Sequence, residues 1–155
     1  MQRSQSVAST CLLVGSVCVG GMGLFWGVIL ALALVAGIAG GAGAAAFIAV
    51  GGVEIPEEML YTGGAFYITA LTMMTLVTVA NLFGGSVGLL SAIRGYAGRP
   101  WGMRGAAYVH IAMALVFGAP GALTMNPLAL VWLVVLVMAI ATLVTVPQPS
   151  DVAAS

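Results

Sequence analysis

The sequence predicts an all-α integral membrane protein, a four-helix transmembrane bundle, on three observations. The chain of 155 residues is 62% hydrophobic and only 5% charged, with four Arg, four acids and no Lys. Its few charges are confined to four places: Arg3, an acidic cluster of Glu54, Glu57 and Glu58, a basic cluster of Arg94, Arg99 and Arg104, and Asp151. Between them lie three uncharged stretches, 7–53, 59–93 and 105–150, each longer than the ~20 apolar residues that cross a bilayer as helix. A soluble fold would lack solvating surface. Disorder is excluded by the hydrophobicity, and non-specific nucleic-acid binding by the want of a basic surface.

The first stretch is the least regular. Residues 7–50 would run ~66 Å as helix, too long for one upright crossing and barely enough for two. Gly20-Gly21-Met22-Gly23 is the best internal break. It sets off residues 7–20 as an apolar extension or re-entrant piece and leaves 22–50 as the first span. The alternative is five spans, with 7–50 crossing twice. One crossing places every Arg on one side and the Glu cluster on the other, as the positive-inside bias prefers. Both termini are then cytoplasmic, in what is expected to be the cell membrane. The apolar run is too long for a signal-peptide core, and no polar mature sequence follows it.

The second stretch opens on Ile55-Pro56-Glu57-Glu58, which suits a helix start: Pro at the first turn, acids at the positive dipole end. Gly63-Gly64 is expected to interrupt it, and 65–93 then forms one long, tilted span. In the third stretch, 105–125 is one span, with Pro120 kinking or ending it. Asn126-Pro127 starts the next helix, Asn as cap and Pro in the first turn, over 127–146. Pro147 and Pro149 stop it, and 147–155 is a tail.

No catalytic constellation is visible, so an enzyme is not expected, and neither a metal nor a cofactor is implied. Cys11 and Cys18, seven apart on a helix, share a face but stand ~10 Å apart, too far for a disulfide. One His and no CxxC motif cannot make a zinc or iron–sulfur site from this chain alone. No ionisable side chain falls inside a span except His110, which disfavours a proton-coupled carrier. His110 belongs to the row Ala106, His110, Ala114, Gly118, Ala122, a small-residue seam where helices meet. An interhelical hydrogen bond is its expected role, and contact with haem or quinone the weaker candidate. Thr69, Thr72, Thr75 and Thr78 wind around their helix and can bond their own i−4 carbonyls. Asn81, an amide within hydrocarbon, is expected to point at another helix.

Glycine, 22 residues, is the second compositional signal. Ala33, Gly37, Gly41, Ala45 and Ala49 recur at i+4 in the first span, and Ala80, Gly84, Gly88 and Ala92 in the second. In lipid, helices associate through close backbone approach along such rows. The loop with Arg94, Tyr96, Arg99, Trp101 and Arg104 has the aromatic and cationic character of a lipid-interface anchor. The expected role is therefore a non-enzymatic accessory subunit, or a self-associating scaffold, of a membrane complex. Its expected partners are membrane lipids and further copies of itself or other membrane subunits, not nucleic acid. An oligomeric channel or carrier for an uncharged or lipophilic solute is the alternative. A redox-complex subunit with His110 near haem or quinone is the third.

Overall fold

A computed structural model describes residues 2–51, 57–99 and 101–146, with the side chains of 2, 42–51, 57, 59 and 60 outside the description. The described residues form helices and turns with no strand among them. The helices are α1 (Gln2–Gly51), α2 (Glu57–Tyr96), α3 (Met103–Leu123) and α4 (Ala129–Thr145). Three of them contain segments long and apolar enough to cross a membrane: Arg3–Gly41, Tyr61–Tyr96 and Met103–Leu123. The fourth is a shorter apolar helix.

The break expected at Gly20-Gly21-Met22-Gly23 does not occur: α1 is one helix of 50 residues through it. Residues 7–20, expected as a separate extension, are turns of that same helix. Two physical reasons account for this. Without water to satisfy freed backbone groups, an apolar helix keeps its internal hydrogen bonds even at glycine. The glycines also permit a close helix crossing. A Cβ on Gly85 would lie 2.7 Å from the Gly20 nitrogen, and one on Gly23 would lie 2.9 Å from the Leu82 nitrogen. Gly63-Gly64 likewise leaves α2 unbroken from Glu57 to Tyr96.

Pro120 acts as its chemistry requires. It has no N–H to donate, and its ring crowds the carbonyl four residues back. In α3 the segment just before it, Ala114–Gly118, widens into a π-helix, and the helix ends three residues after it at Leu123. Met125 then takes a positive φ of 52°, and the chain reverses. The Leu128 N–H donates to Asn126 Oδ1 at 3.0 Å within the turn, but α4 becomes regular only from Ala129, with Leu128 at its N-cap and no side-chain cap, two residues later than the sequence predicts. The Pro-containing stop at Pro147 and Pro149 lies outside the described residues.

Two compact units divide the chain. One comprises Met1–Gly23 and Ala80–Ser155. Its interior holds Ala8, Leu12 and Val19 of α1, Ala92 of α2, Met103, Ala106 and Ala107 of α3, and Val135 and Ala139 of α4. The small polar residues Ser9, Ser16, Asn81, His110 and Thr142 are buried among them. The other unit, Leu24–Val79, pairs the later part of α1 with the earlier part of α2. There the Tyr67 hydroxyl donates to the Ala33 carbonyl at 2.7 Å, and Thr78 packs its methyl against Gly27.

Candidate functional site

The His110 ring is fully buried, at a junction of α1, α2 and α3. A carbonyl can only accept, so the 3.2 Å contact to Gly84 is His110 Nε2–H donating to that oxygen. Glycines make room for the ring. A Cβ on Gly88 would sit 2.6 Å from both Cε1 and Nε2, and one on Gly15 would sit 3.3 Å from Nδ1. Any side chain on Gly84 would strike the Met113 sulfur. Nδ1 is buried and has no hydrogen-bond partner among the described residues. Ser16, beside the ring, donates to its own helix at Leu12, 2.6 Å away. The ring thus ties α3 to the backbone of α2, and its remaining nitrogen faces the backbone of α1.

The row predicted on α2 turns inward: Gly84, Gly88 and Ala92 are buried and Ala80 is half-buried. Asn81, on the same helix, is fully buried. Along α3, Ala106, His110, Ala114 and Gly118 are buried, while Ala122 is exposed. The α1 row divides. Ala33 and Gly37 meet Tyr67, but a Cβ on Gly41 would touch nothing within 4 Å. The side chains of Ala45 and Ala49 lie outside the description. Thr69, Thr72 and Thr75 each donate to the carbonyl four residues back, at 2.8–2.9 Å.

At this junction Gly15, Ser16 and Gly85 were not singled out from sequence, and Gly20 and Gly23 were read as a break instead of a contact. A usable signal existed. Ala8, Leu12, Gly15, Val19 and Gly23 recur at three- and four-residue steps, a helical face running straight through the supposed break.

At the basic cluster, the Arg94 guanidinium lies 5.9 Å from the centre of the exposed Trp101 ring, within cation–π range. The Tyr96 hydroxyl shares a 2.8 Å hydrogen bond with Thr10, and the Gln5 amide donates to the Gly95 carbonyl at 3.3 Å. Arg99 is exposed. Arg104 turns back instead, donating to the Val146 carbonyl at 3.1 Å and so closing the end of α4. Four of the five predicted interface residues are therefore exposed, and the fifth is half-buried as a tie between α3 and α4.

Cys11 and Cys18 are free and half-buried. Among the described residues no group of three or more His, Cys, Asp or Glu stands close enough to hold a metal ion. An apolar groove of about 200 Å³ runs along the α3–α4 hairpin, floored by Gly118, Ala122, Ala129 and Trp132 beside the π segment. No protein-family model, curated protein or solved structure matches this chain.

Proposed function

We propose that this protein is a membrane-embedded, non-enzymatic scaffold or accessory subunit: a four-helix transmembrane bundle whose glycine faces engage a second copy or another membrane subunit. The observation that carries this reading is that four glycines in Leu24–Val79 meet nothing among the described residues. In the unit containing His110, a Cβ on Gly15, Gly23, Gly84, Gly85, Gly88, Gly95 or Gly118 would come within 3.3 Å of a neighbouring atom, while Gly20, Gly21, Gly98 and Gly105 meet nothing within 4 Å. Among the described glycines of Leu24–Val79, Gly37 meets Tyr67 closely and Gly27 is in ordinary contact with Thr78, while Gly40, Gly41, Gly63 and Gly64 meet nothing within 4 Å. A glycine facing lipid contributes no packing and costs helix propensity. A glycine facing another helix allows the close approach on which association in lipid depends. Large apolar side chains beside these positions, Leu32, Val35, Ile38, Phe66 and Ile68, are also exposed.

The surroundings of His110 support a packing role over a ligand-binding one. One ring nitrogen is committed to a backbone carbonyl, and the other faces Gly15, where an axially bound iron would need space. The test is purification in a mild detergent with mass measured by light scattering. The reading expects a homo-oligomer or a heteromeric complex. A monodisperse single chain, recovered under conditions that preserve other membrane complexes, would count against it.

A further inference from the structure

In the unit formed by Met1–Gly23 and Ala80–Ser155, a cleft of about 480 Å³ opens between the first turns of α1 and the turn that ends α2. Gln5 and Ser6 line one wall and Gly95, Tyr96, Ala97 and Gly98 the other. Its size falls in the ~300–1,000 Å³ range of small-molecule sites. The Gln5–Gly95 hydrogen bond holds the walls together. Gly98 takes a left-handed φ of 79°, which folds the chain back so that the Arg99 N–H donates to the Arg94 carbonyl at 2.9 Å. Arg94 and Arg99, both exposed, thereby bracket the lining segment Gly95–Gly98 with their backbones hydrogen-bonded to each other.

Their charge has no counter-charge nearby in the described chain. The acids among the described residues, Glu57 and Glu58, stand in the first turn of α2, and Arg94 in the last turn of the same 40-residue helix. The exposed Tyr96 and Trp101 rings mark this rim as a surface at headgroup depth. One and two turns earlier on α2, Ile93 and Leu90 are exposed and apolar.

We propose that this cleft binds the phosphate headgroup of an anionic glycerophospholipid. Arg94 and Arg99 supply the charge, Gln5 and Ser6 the neutral polar partners, and the flank of α2 a bed for an acyl chain. The proposal rests on the membrane reading above. The chemistry it recognises is a phosphate ester carrying net negative charge. A zwitterionic headgroup would leave the arginines uncompensated, and a soluble phosphate would leave the aromatic rim and the apolar flank unused.

The test is native mass spectrometry of the full chain in detergent, titrated with phosphatidylglycerol, with phosphatidylcholine of the same acyl chains, and with glycerol 3-phosphate. One phosphatidylglycerol per chain should be retained in preference to phosphatidylcholine. The double variant Arg94→Gln/Arg99→Gln should weaken it roughly 10–30-fold, at about 1 kcal/mol per arginine. Ser6→Leu fills the cleft and leaves every charge in place, and it should weaken retention at least as much. Equal retention of the two lipids by the parent chain overturns the proposal without recourse to any variant. So does Ser6→Leu binding like the parent, which would leave only a diffuse basic field. Glycerol 3-phosphate binding as tightly as phosphatidylglycerol would overturn the lipid assignment in favour of a soluble phosphate. Release of the chain from membranes by alkaline carbonate would overturn the membrane reading itself. A chain that stays in membranes but shows no lipid preference overturns the cleft alone.

Discussion

Where α1 crosses α2, Gly85 and Gly20 approach backbone to backbone, yet the two positions are not equivalent. A Cβ on Gly85 would lie 2.7 Å from the Gly20 nitrogen and 2.8 Å from its Cα, whereas one on Gly20 would meet nothing within 4 Å. Backbone cannot swing aside as a flexible side chain can. Gly85→Ala should therefore destabilise the chain by roughly 1–3 kcal/mol, the usual cost of overpacking. Gly20→Ala should be neutral or stabilising, by up to about 1 kcal/mol from helix propensity. Thermal melts followed by circular dichroism in one detergent decide it, and equal melting of the two variants would show the crossing to be misplaced. At His110 the expectation is chemical. Its enclosure by Gly15, Gly84 and Gly88, and the separation of the two thiols, motivate the prediction that purified protein carries no stoichiometric metal or haem. One iron or zinc per chain by elemental analysis, or a Soret band, would overturn it.

Element by element, the α3–α4 hairpin was the most legible in sequence, because its signals are local. Pro120 acts on its own helix, and Asn126 accepts a hydrogen bond from Leu128, two residues away, in the turn before the next. Asn126→Ala should cost about 1 kcal/mol and fray the start of α4, read as faster amide exchange at Ala129 and Leu130. The threonine row was legible for the same reason, since each hydroxyl serves its own helix. What could not be read locally was the role of Gly20–Gly23. In water such a cluster ends helices. In an apolar setting it marks where another backbone passes, and that requires knowing that Leu82 and Gly85 lie opposite. The candidate site shows the same division. The seam through His110 followed from i+4 spacing on one helix, but the carbonyl it reaches, Gly84, is 26 residues away. Tyr67, whose hydroxyl reaches Ala33, carried no local signal at all.

For the whole molecule the governing quantities are length and charge. A helix of 50 residues is about 75 Å long against a hydrocarbon core of ~30 Å. Tilt alone, rarely above 40°, does not absorb that difference, and the proposed assembly would cover part of the apolar surface that remains. Gly41→Leu tests this, since a Cβ on Gly41 would meet nothing within 4 Å among the described residues. The variant should keep the monomer's helicity and stability but dissociate the assembly by roughly 1–3 kcal/mol. Assembly and melting like the parent would mean that this face meets lipid. Charge predicts the orientation. The Gln5–Gly95 and Thr10–Tyr96 hydrogen bonds bring the Arg3 end of α1 beside the Arg94 end of α2. Positive charge therefore gathers at one end, which the positive-inside bias assigns to the cytoplasm. In a background with Cys11 and Cys18 replaced by Ala, Glu57→Cys should react with an impermeant thiol reagent in intact cells. Arg99→Cys and Gln5→Cys should react only after permeabilisation. The reverse pattern at all three positions would invert the orientation and leave the fold intact. Gln5→Cys reacting from outside together with Glu57→Cys would instead mean that the beginning of α1 crosses separately, giving five spans. That result is incompatible with a Gln5 side chain bonded to Gly95, because the two would then lie on opposite faces of the membrane.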